Sequence, residues 1–398
     1  MDPAKLVLTR PDRRTHREAV IDLAAKTFGK PYWNWVAHCR ESYLDYGPYD
    51  WSASTIGLLD GRIVTHWGVW GLRMRIGRCA VRVGGIGAVS THGDMRNRGL
   101  MARTAIAACQ AMRQAGYDLS VLFGIRGFYH RFGYVSAWPK QSYLVHVDDL
   151  PSARPAGRLR KIAARHRPEL AALYNRVHAG LTGTAVRPTY LRRSVDWEGH
   201  SWADAAGKPA GYVFIGTRHR PFGVYDYAGD VEEVLRVVAR LARRRGEKEV
   251  RFHELHHDSD LARRLRRGNC RVEIGYTRCG DAMVRTLNLA SMLAKIAPEL
   301  SARLRRSHLA DWRGRLLIAD SREKALLSIA RSEVAVAPPA ATKHAIRGGD
   351  EIAQLLIGTD EPAETVAAHG IRLAGDARKL LPVLFPAQHP LLGPWDHF

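Results

Sequence analysis

Arg96, Asn97, Arg98 and Gly99 stand where an apolar run gives way to a helical pattern, a placement that suits the capture of an anion. Ile86 to Val89 has the apolar character of a strand, and His92-Gly93-Asp94 marks a turn. From Met101 onward Ala105, Ala108 and Met112 recur at helical spacing, with Arg103 and Arg113 facing outward. A helix start offers unpaired backbone N–H groups and the positive end of a dipole, which together hold a diphosphate. Gly99 allows close approach of the main chain, and Arg96 and Arg98 add charge-assisted bonds. Taken alone, these four residues fit a solvated helix start equally well. The residues after them narrow the choice. Gly116 ends the helix, Leu119 to Phe123 reads as a buried strand, and Phe128-Tyr129-His130-Arg131-Phe132-Gly133-Tyr134 comes next.

This combination resembles the GNAT superfamily of acyl-CoA-dependent N-acyltransferases. Within it the sequence is similar to the enhanced-intracellular-survival branch, where F-Y-x-R-F-G-Y follows V-x-T-H-x-x-x-R-x-R-G-L. The resemblance implies that the main chain at Val89 and Thr91 runs along the pantetheine arm of acetyl-CoA. It also implies that the amides of Asn97, Arg98, Gly99, Leu100, Met101 and Ala102, beside Arg96, hold the pyrophosphate. One position departs from the superfamily: its loop usually runs Q/R-x-x-G-x-G/A, and Met101 occupies the last place.

Moving an acyl group from a thioester to an amine requires a proton acceptor, a polarised carbonyl, a proton donor for the thiolate and fixed reactants. A main-chain N–H between Ile86 and Thr91 can polarise the carbonyl if the strand is bulged there. Tyr129 is the candidate acid, because a phenol with reference pKa ~10 is protonated at neutral pH. By resemblance, this tyrosine points at the coenzyme sulfur. The base is expected at the chain end, Pro394-Trp395-Asp396-His397-Phe398. In the survival branch a terminal carboxylate on an aromatic residue returns to the first domain, and Phe398 matches that pattern. A carboxylate with reference pKa ~3.5 is ionised, so it can hold a cationic amine and relay its proton. The alternative for a chain end is fraying. The expected activity is an acetyl-CoA-dependent N-acetyltransferase acting on a primary amine of a small, cationic acceptor by direct attack in a ternary complex. A non-catalytic lipid- or polyanion-binding protein that keeps the scaffold is the alternative.

The composition admits these readings and excludes others. Over 398 residues, 46% are hydrophobic and 25% charged, as in globular proteins, and no apolar run reaches the ~20 residues of a membrane span. No signal peptide is visible, and five cysteines without C-x-x-C spacing suit reduced thiols, so a cytoplasmic protein is expected. The formal charge of +22 is largely scattered arginine, with a concentration from Arg236 to Arg271 that lacks interleaved aromatic residues for base stacking. Nucleic acid is therefore not expected as the main partner. His253-Glu254-Leu255-His256-His257 matches H-E-x-x-H, but zinc binding needs both outer histidines on one helical face. Val250 and Phe252 alternate with Arg251 and His253 as in a strand, so no metal is expected.

These groups must be positioned by a larger framework, read as α/β (α+β) with three domains. Residues 1–152 form the catalytic GNAT domain. In it, residues from Ala19 are helical, Pro31 to Trp51 gathers seven Tyr and Trp rings that could wall the acceptor site, and the Asp60-Gly61 hairpin opens a four-strand meander. Ser142 to Val147 is expected to close that domain. Residues 153–287 repeat the order of elements as a degenerate second copy. Its helix begins Gly229-Asp230-Val231-Glu232-Glu233, and such carboxylates would repel a pyrophosphate. Residues 288–398, with a helix from Met292, strands near Leu316 and Leu327, and a helix beginning near Asp350, resemble a sterol-carrier-like α+β domain. The family also implies assembly into a homo-hexamer.

Overall fold

The computed structural model describes residues 2–29, 36, 44, 48–125, 127–162, 168–188, 197–216 and 221–398. The aromatic segment from Pro31 therefore lies outside the described residues, except for its end at Tyr49 and Trp51.

The chain opens with β1 (Val7–Thr9) and α1 (Arg13–Phe28), whose start is capped by the Asp12 carboxylate accepting the Arg14 and Thr15 amides. Three antiparallel strands follow: β2 (Thr55–Leu59), β3 (Arg62–Ile76) and β4 (Cys79–Thr91). Asp60 and Gly61 take φ of 49° and 77°, the left-handed pair that a two-residue hairpin turn demands. The expected four-strand meander is thus three strands, because β3 runs unbroken through Gly71. That glycine makes room for the Tyr117 hydroxyl instead of turning the chain. Helix α2 (Leu100–Gln114) buries Ala105, Ala108, Cys109 and Met112 against this sheet. It leads to β5 (Leu119–Ile125), parallel to β4, and then to β6 (Val135–Trp138).

The second sheet is built from β7 (Lys140–His146), β8 (Arg160–Lys161), β9 (Trp197–Ala203), β10 (Pro209–Gly216), β11 (Phe222–Ala228), β12 (Glu249–His253) and β13 (Arg271–Gly275). Helices α3 (Pro168–Val177), α4 (Val231–Arg244) and α5 (Asp260–Arg266) accompany it. Residues 142–147 do not close the first sheet as their position in the chain suggests. β7 pairs with β12 and β13, and the vacated place is taken by β14 (Cys279–Thr286), inserted between β5 and β6. The two sheets therefore exchange strands, and no single cut in the chain separates them. The sheets share one plan, since β11 and β12 are parallel as β4 and β5 are.

The remainder is α6 (Leu289–Arg305), β15 (Gly314–Ala319), β16 (Lys324–Ala330), β17 (Glu333–Ala337) and β18 (His344–Arg347), followed by α7 (Ile352–Ile357), α8 (Pro362–His369), β19 (Arg372–Ala374) and α9 (Ala377–Leu384). The sheet order is β17-β16-β15-β18-β19. Glu351, not Asp350, stands at the N-cap of α7, and the Asp350 carboxylate bonds Arg322 and Ser321 instead. Met292, Leu293, Ile296 and Leu300 of α6 share one continuous core with Met74, Val81, Val83, Leu119 and Val121 of the first sheet. One face of that sheet is thus covered by α2 and the other by α6 with the third sheet.

Candidate active site

Parallel pairing between β4 and β5 covers Val83–Ile86 against Leu119–Leu122 and then stops, although both strands continue. Beyond that point they part, and a cleft of about 700 Å³ opens between them. Its rim is the start of α2. The cap residue Gly99 has φ 72° and Asn97 has φ 60°, so two left-handed residues fold the loop back toward the cleft. Such a turn aims successive N–H groups into one concavity. Among the described residues, no main-chain bond occupies the amides from Asn97 to Ala102, and the first carbonyl engaged is that of Gly99, by Arg103 N at 3.3 Å. No side chain caps this helix, and its first turn carries no acidic residue. Arg96 and Arg98 are exposed beside it. These features fit a diphosphate, since the donors are free and the field is positive.

The corresponding start of α4 is closed by its own side chains. Asp230 accepts the Glu233 amide at 3.0 Å, and the Glu233 carboxylate accepts Ala156 N at 2.7 Å.

At the inner end of the cleft β4 is bulged. The register shifts between His66 and Gly68, opposite Gly87 to Ser90, and Ala88 is held at φ 48°. The cause lies on β3. His66 is fully buried and burial pushes its pKa down to about 4, so the ring is neutral. Its Nδ1–H donates to the Ala88 carbonyl at 2.9 Å, while Nε2 accepts the Tyr49 hydroxyl at 2.8 Å. His66 escaped the sequence reading, because a lone histidine in a strand pattern carries no signal of what it bonds.

Tyr129 lies against Gly124 of β5, where any side chain would collide with its ring. Trp67 and Tyr134 meet it edge-on at centroid distances of 6.0 and 6.2 Å. Burial pushes the phenol up to about 12, which keeps it a proton donor across the neutral range. Phe398 reaches the same place from the far end of the chain. Its ring lies over Gly85, a close approach possible because that residue has no side chain, and 5.5 Å from the Phe123 ring. All the residues singled out by sequence, namely Val89, Thr91, Arg96 to Ala102, Tyr129 and Phe398, line this one cleft. Arg131 lines it too, stacked at 4.2 Å on Phe128; in a chain with so many scattered arginines its position alone carries no signal of this place.

Phe398 also borders a second, larger cleft of about 1280 Å³, walled by Tyr49, Trp51, Trp70 and Trp395 and by Asp50, Arg73, Arg82 and Asp396. Asp50 accepts the Tyr117 hydroxyl at 2.6 Å. Burial works against its charge, but bonds from Ser52, Tyr117 and the main chain bring its pKa below the usual carboxylate value.

The H-E-x-x-H residues do not form a helical pair. His253 ends β12 with its ring stacked on Tyr225 at 4.3 Å, and Glu254 follows at φ 46°. His257 instead gathers with Asp258 and His389, their ligating atoms within 4.8 Å of one another.

Residues 9–137 match the family described as the acetyltransferase (GNAT) domain. This chain carries an acetyltransferase domain. Among solved structures it is similar to a GCN5-related N-acetyltransferase from Anabaena variabilis, with TM-score 0.78 and 15% identity over 99% of this chain and 100% of that one. A protein from Enterococcus faecalis described as a probable N-acyltransferase gives 0.74 and 16% over the same shares. Eis1 from Mycobacterium abscessus gives 0.67 and 15%, again over 99% and 100%. At such identities the likeness speaks for the fold, and it extends from end to end of each chain. Nothing among curated protein sequences matches.

Proposed function

We propose that the protein transfers an acetyl group from acetyl-CoA to a primary amine of a small, cationic acceptor, within a ternary complex. The observation that carries this reading is the convergence on one cleft of a free anion cradle, a protonated phenol and the chain's last residue. Bound there, acetyl-CoA supplies an activated acyl group and a thiol leaving group. The amides of Leu100, Met101 and Ala102 with Arg96 and Arg98 bind the diphosphate, and the main chain at Val89 and Thr91 orients the pantetheine arm. The bulge at Ala88 aims main-chain N–H at the carbonyl oxygen, where negative charge develops. The Phe398 carboxylate holds the ammonium and takes one proton from it, freeing the lone pair that forms the C–N bond; the second N–H proton leaves as the adduct collapses and replaces the one that Tyr129 gives up. Tyr129 Oη holds the proton that the departing sulfur receives as the C–S bond breaks.

The acceptor enters through the aromatic-walled cleft on the other side of Phe398. Residues 288–398 keep the sterol-carrier-like reading, supported by a single five-stranded sheet with flanking helices. The free thiols of Cys79, Cys109 and Cys270 support a cytoplasmic setting. Among the described residues, no helix is long and apolar enough to cross a membrane. Homo-hexameric assembly stays a proposal from the resemblance.

The test is direct. Acetyl-CoA should raise the melting temperature, as any ligand of the folded state must, and amines should provoke thiol release. Deleting Phe398 should abolish most of that turnover while leaving the thermal shift intact. Normal turnover by the truncated chain rejects the terminal carboxylate as base, and thiol release that ignores the amine rejects acyl transfer.

A further inference from the structure

The last residues of the chain are held by β9 and β10 of the second sheet and by the segment that follows α3. Leu391 N bonds the Thr182 carbonyl at 3.2 Å, with its backbone packed on Gly183, where φ is 93° and a side chain would clash. The Trp395 ring packs on Phe214 at 4.2 Å and on Trp197 at 5.2 Å. His397 Nε2 lies 2.9 Å from the Glu254 carboxylate, and its ring reaches Phe123 of the first sheet at 4.0 Å. Between them sits Asp396. Its two oxygens accept Arg187 Nε and Nη2, each at 2.9 Å, in a fork-to-fork pair.

Arg187 is 3% exposed and holds Asp226 of β11 at 2.7 and 3.0 Å with the same guanidinium. It also donates to Tyr212 Oη at 3.0 Å and lies 3.5 Å over the Tyr174 ring. Arg75, buried nearby, bonds only neutral acceptors among the described residues, namely Thr184, Ala185 and Asn175; burial pushes its pKa down, and Tyr174 and then Asp396 work against that. Two buried guanidiniums therefore face two carboxylates, and the second carboxylate comes from a chain end. A buried charge without its partner is strongly destabilising. Charge balance thus adds to this packing in holding the tail in place.

We propose that Arg187 is a positioning residue for acyl transfer: by gripping Asp396 it fixes the Phe398 carboxylate, two residues on, between the two clefts. The second sheet, whose own helix start is closed by Asp230 and Glu233, serves as the anchor for the first sheet's base. This rests on the reading of Phe398 as the base.

The experiment compares Asp396→Asn, deletion of Phe398 and the two combined, in the full chain. Asp396→Asn should lower kcat between about ten- and a hundredfold, since displacing a reacting group by an ångström costs that much, with acetyl-CoA affinity unchanged. The combined variant should be no slower than the deletion alone, because a base already removed cannot be misplaced. Carboxypeptidase should release Phe398 from Asp396→Asn far faster than from the unaltered chain, as followed by mass. Should Asp396→Asn fail to fold, Arg187→Lys reads the same quantities, keeping the charge but giving up the fork. Unaltered kcat in the substituted chain, or losses that multiply fully in the combined one, overturn the proposal. A deletion without effect instead overturns the base assignment on which it stands.

Discussion

Tyr129 shows how its surroundings set the proton of a single residue. Its pKa is raised to about 12 by burial alone, and no side chain among the described residues bonds its hydroxyl. A phenol without a protein partner is one whose proton is free to be given. Replacement by Phe keeps the ring against Gly124 and Trp67 and removes only that proton. The expected result for Tyr129→Phe is a loss in kcat of about a hundredfold, the usual size of a general-acid contribution, with acetyl-CoA binding unaltered. The pH profile supplies the sign. A group raised to about 12 stays protonated through pH 10, so any alkaline fall in rate below that belongs to another group. A fall that disappears in Tyr129→Phe contradicts this.

At the scale of elements, two helices of like position differ in what their first turns can hold. Helix α2 begins at a left-handed glycine with no acidic residue and no cap, whereas α4 begins with Asp230 bonded to its third amide. An anion cradle and a capped helix are competing uses of the same N–H groups. The contrast predicts opposite responses to one substitution. Arg98→Glu, just before the cap of α2, should leave the melting temperature unchanged or slightly raised, because a carboxylate at a helix start contributes about 0.3–1 kcal/mol. The same change should weaken acetyl-CoA binding by at least tenfold, since an attractive charge becomes repulsive. Calorimetric titration beside thermal melting reads both, and equal acetyl-CoA affinity in the two proteins speaks against the cradle.

The whole molecule is held by three connected sheets and several buried histidines. His66, His178 and His256 are each buried, and burial pushes them down to about 4, 3 and 4. Their unfolded values lie near 6.5, so the unfolded chain binds protons first as pH falls. Stability is therefore complete above about pH 6.5 and is lost progressively toward pH 4. A shift of the size seen at His66 corresponds to on the order of 3 kcal/mol. The urea midpoint should fall steadily between pH 7 and pH 4.5. A flat profile across that range shows that these rings are not held neutral. Because β7 and β14 cross between sheets and α6 shares its core with the first, the fall should be a single transition.

Much of the cleft could be read from the order of residues because its chemistry is local. The strand before His92, the glycine at the helix start, the flanking arginines and the tyrosine motif lie within fifty residues, and main-chain geometry follows from nearest neighbours. The hairpin at Asp60-Gly61 and the acidic start of α4 were legible for the same reason. Sequence spacing could not say that β7 would leave the first sheet and β14 enter it, since strands of equal apolar character fit either place. Nor could it show His66 pinning the bulge or Arg187 binding Asp226 and Asp396, partners 39 and 209 residues away. Resemblance pointed to Phe398, but its position beside Gly85 depends on a tail buried against another sheet. Local sequence determined the uncapped helix start at Gly99 and the tyrosine that shares its cleft. Tertiary structure alone brought the chain's end to them, because only folding makes charges so far apart in sequence neighbours in a low-dielectric interior.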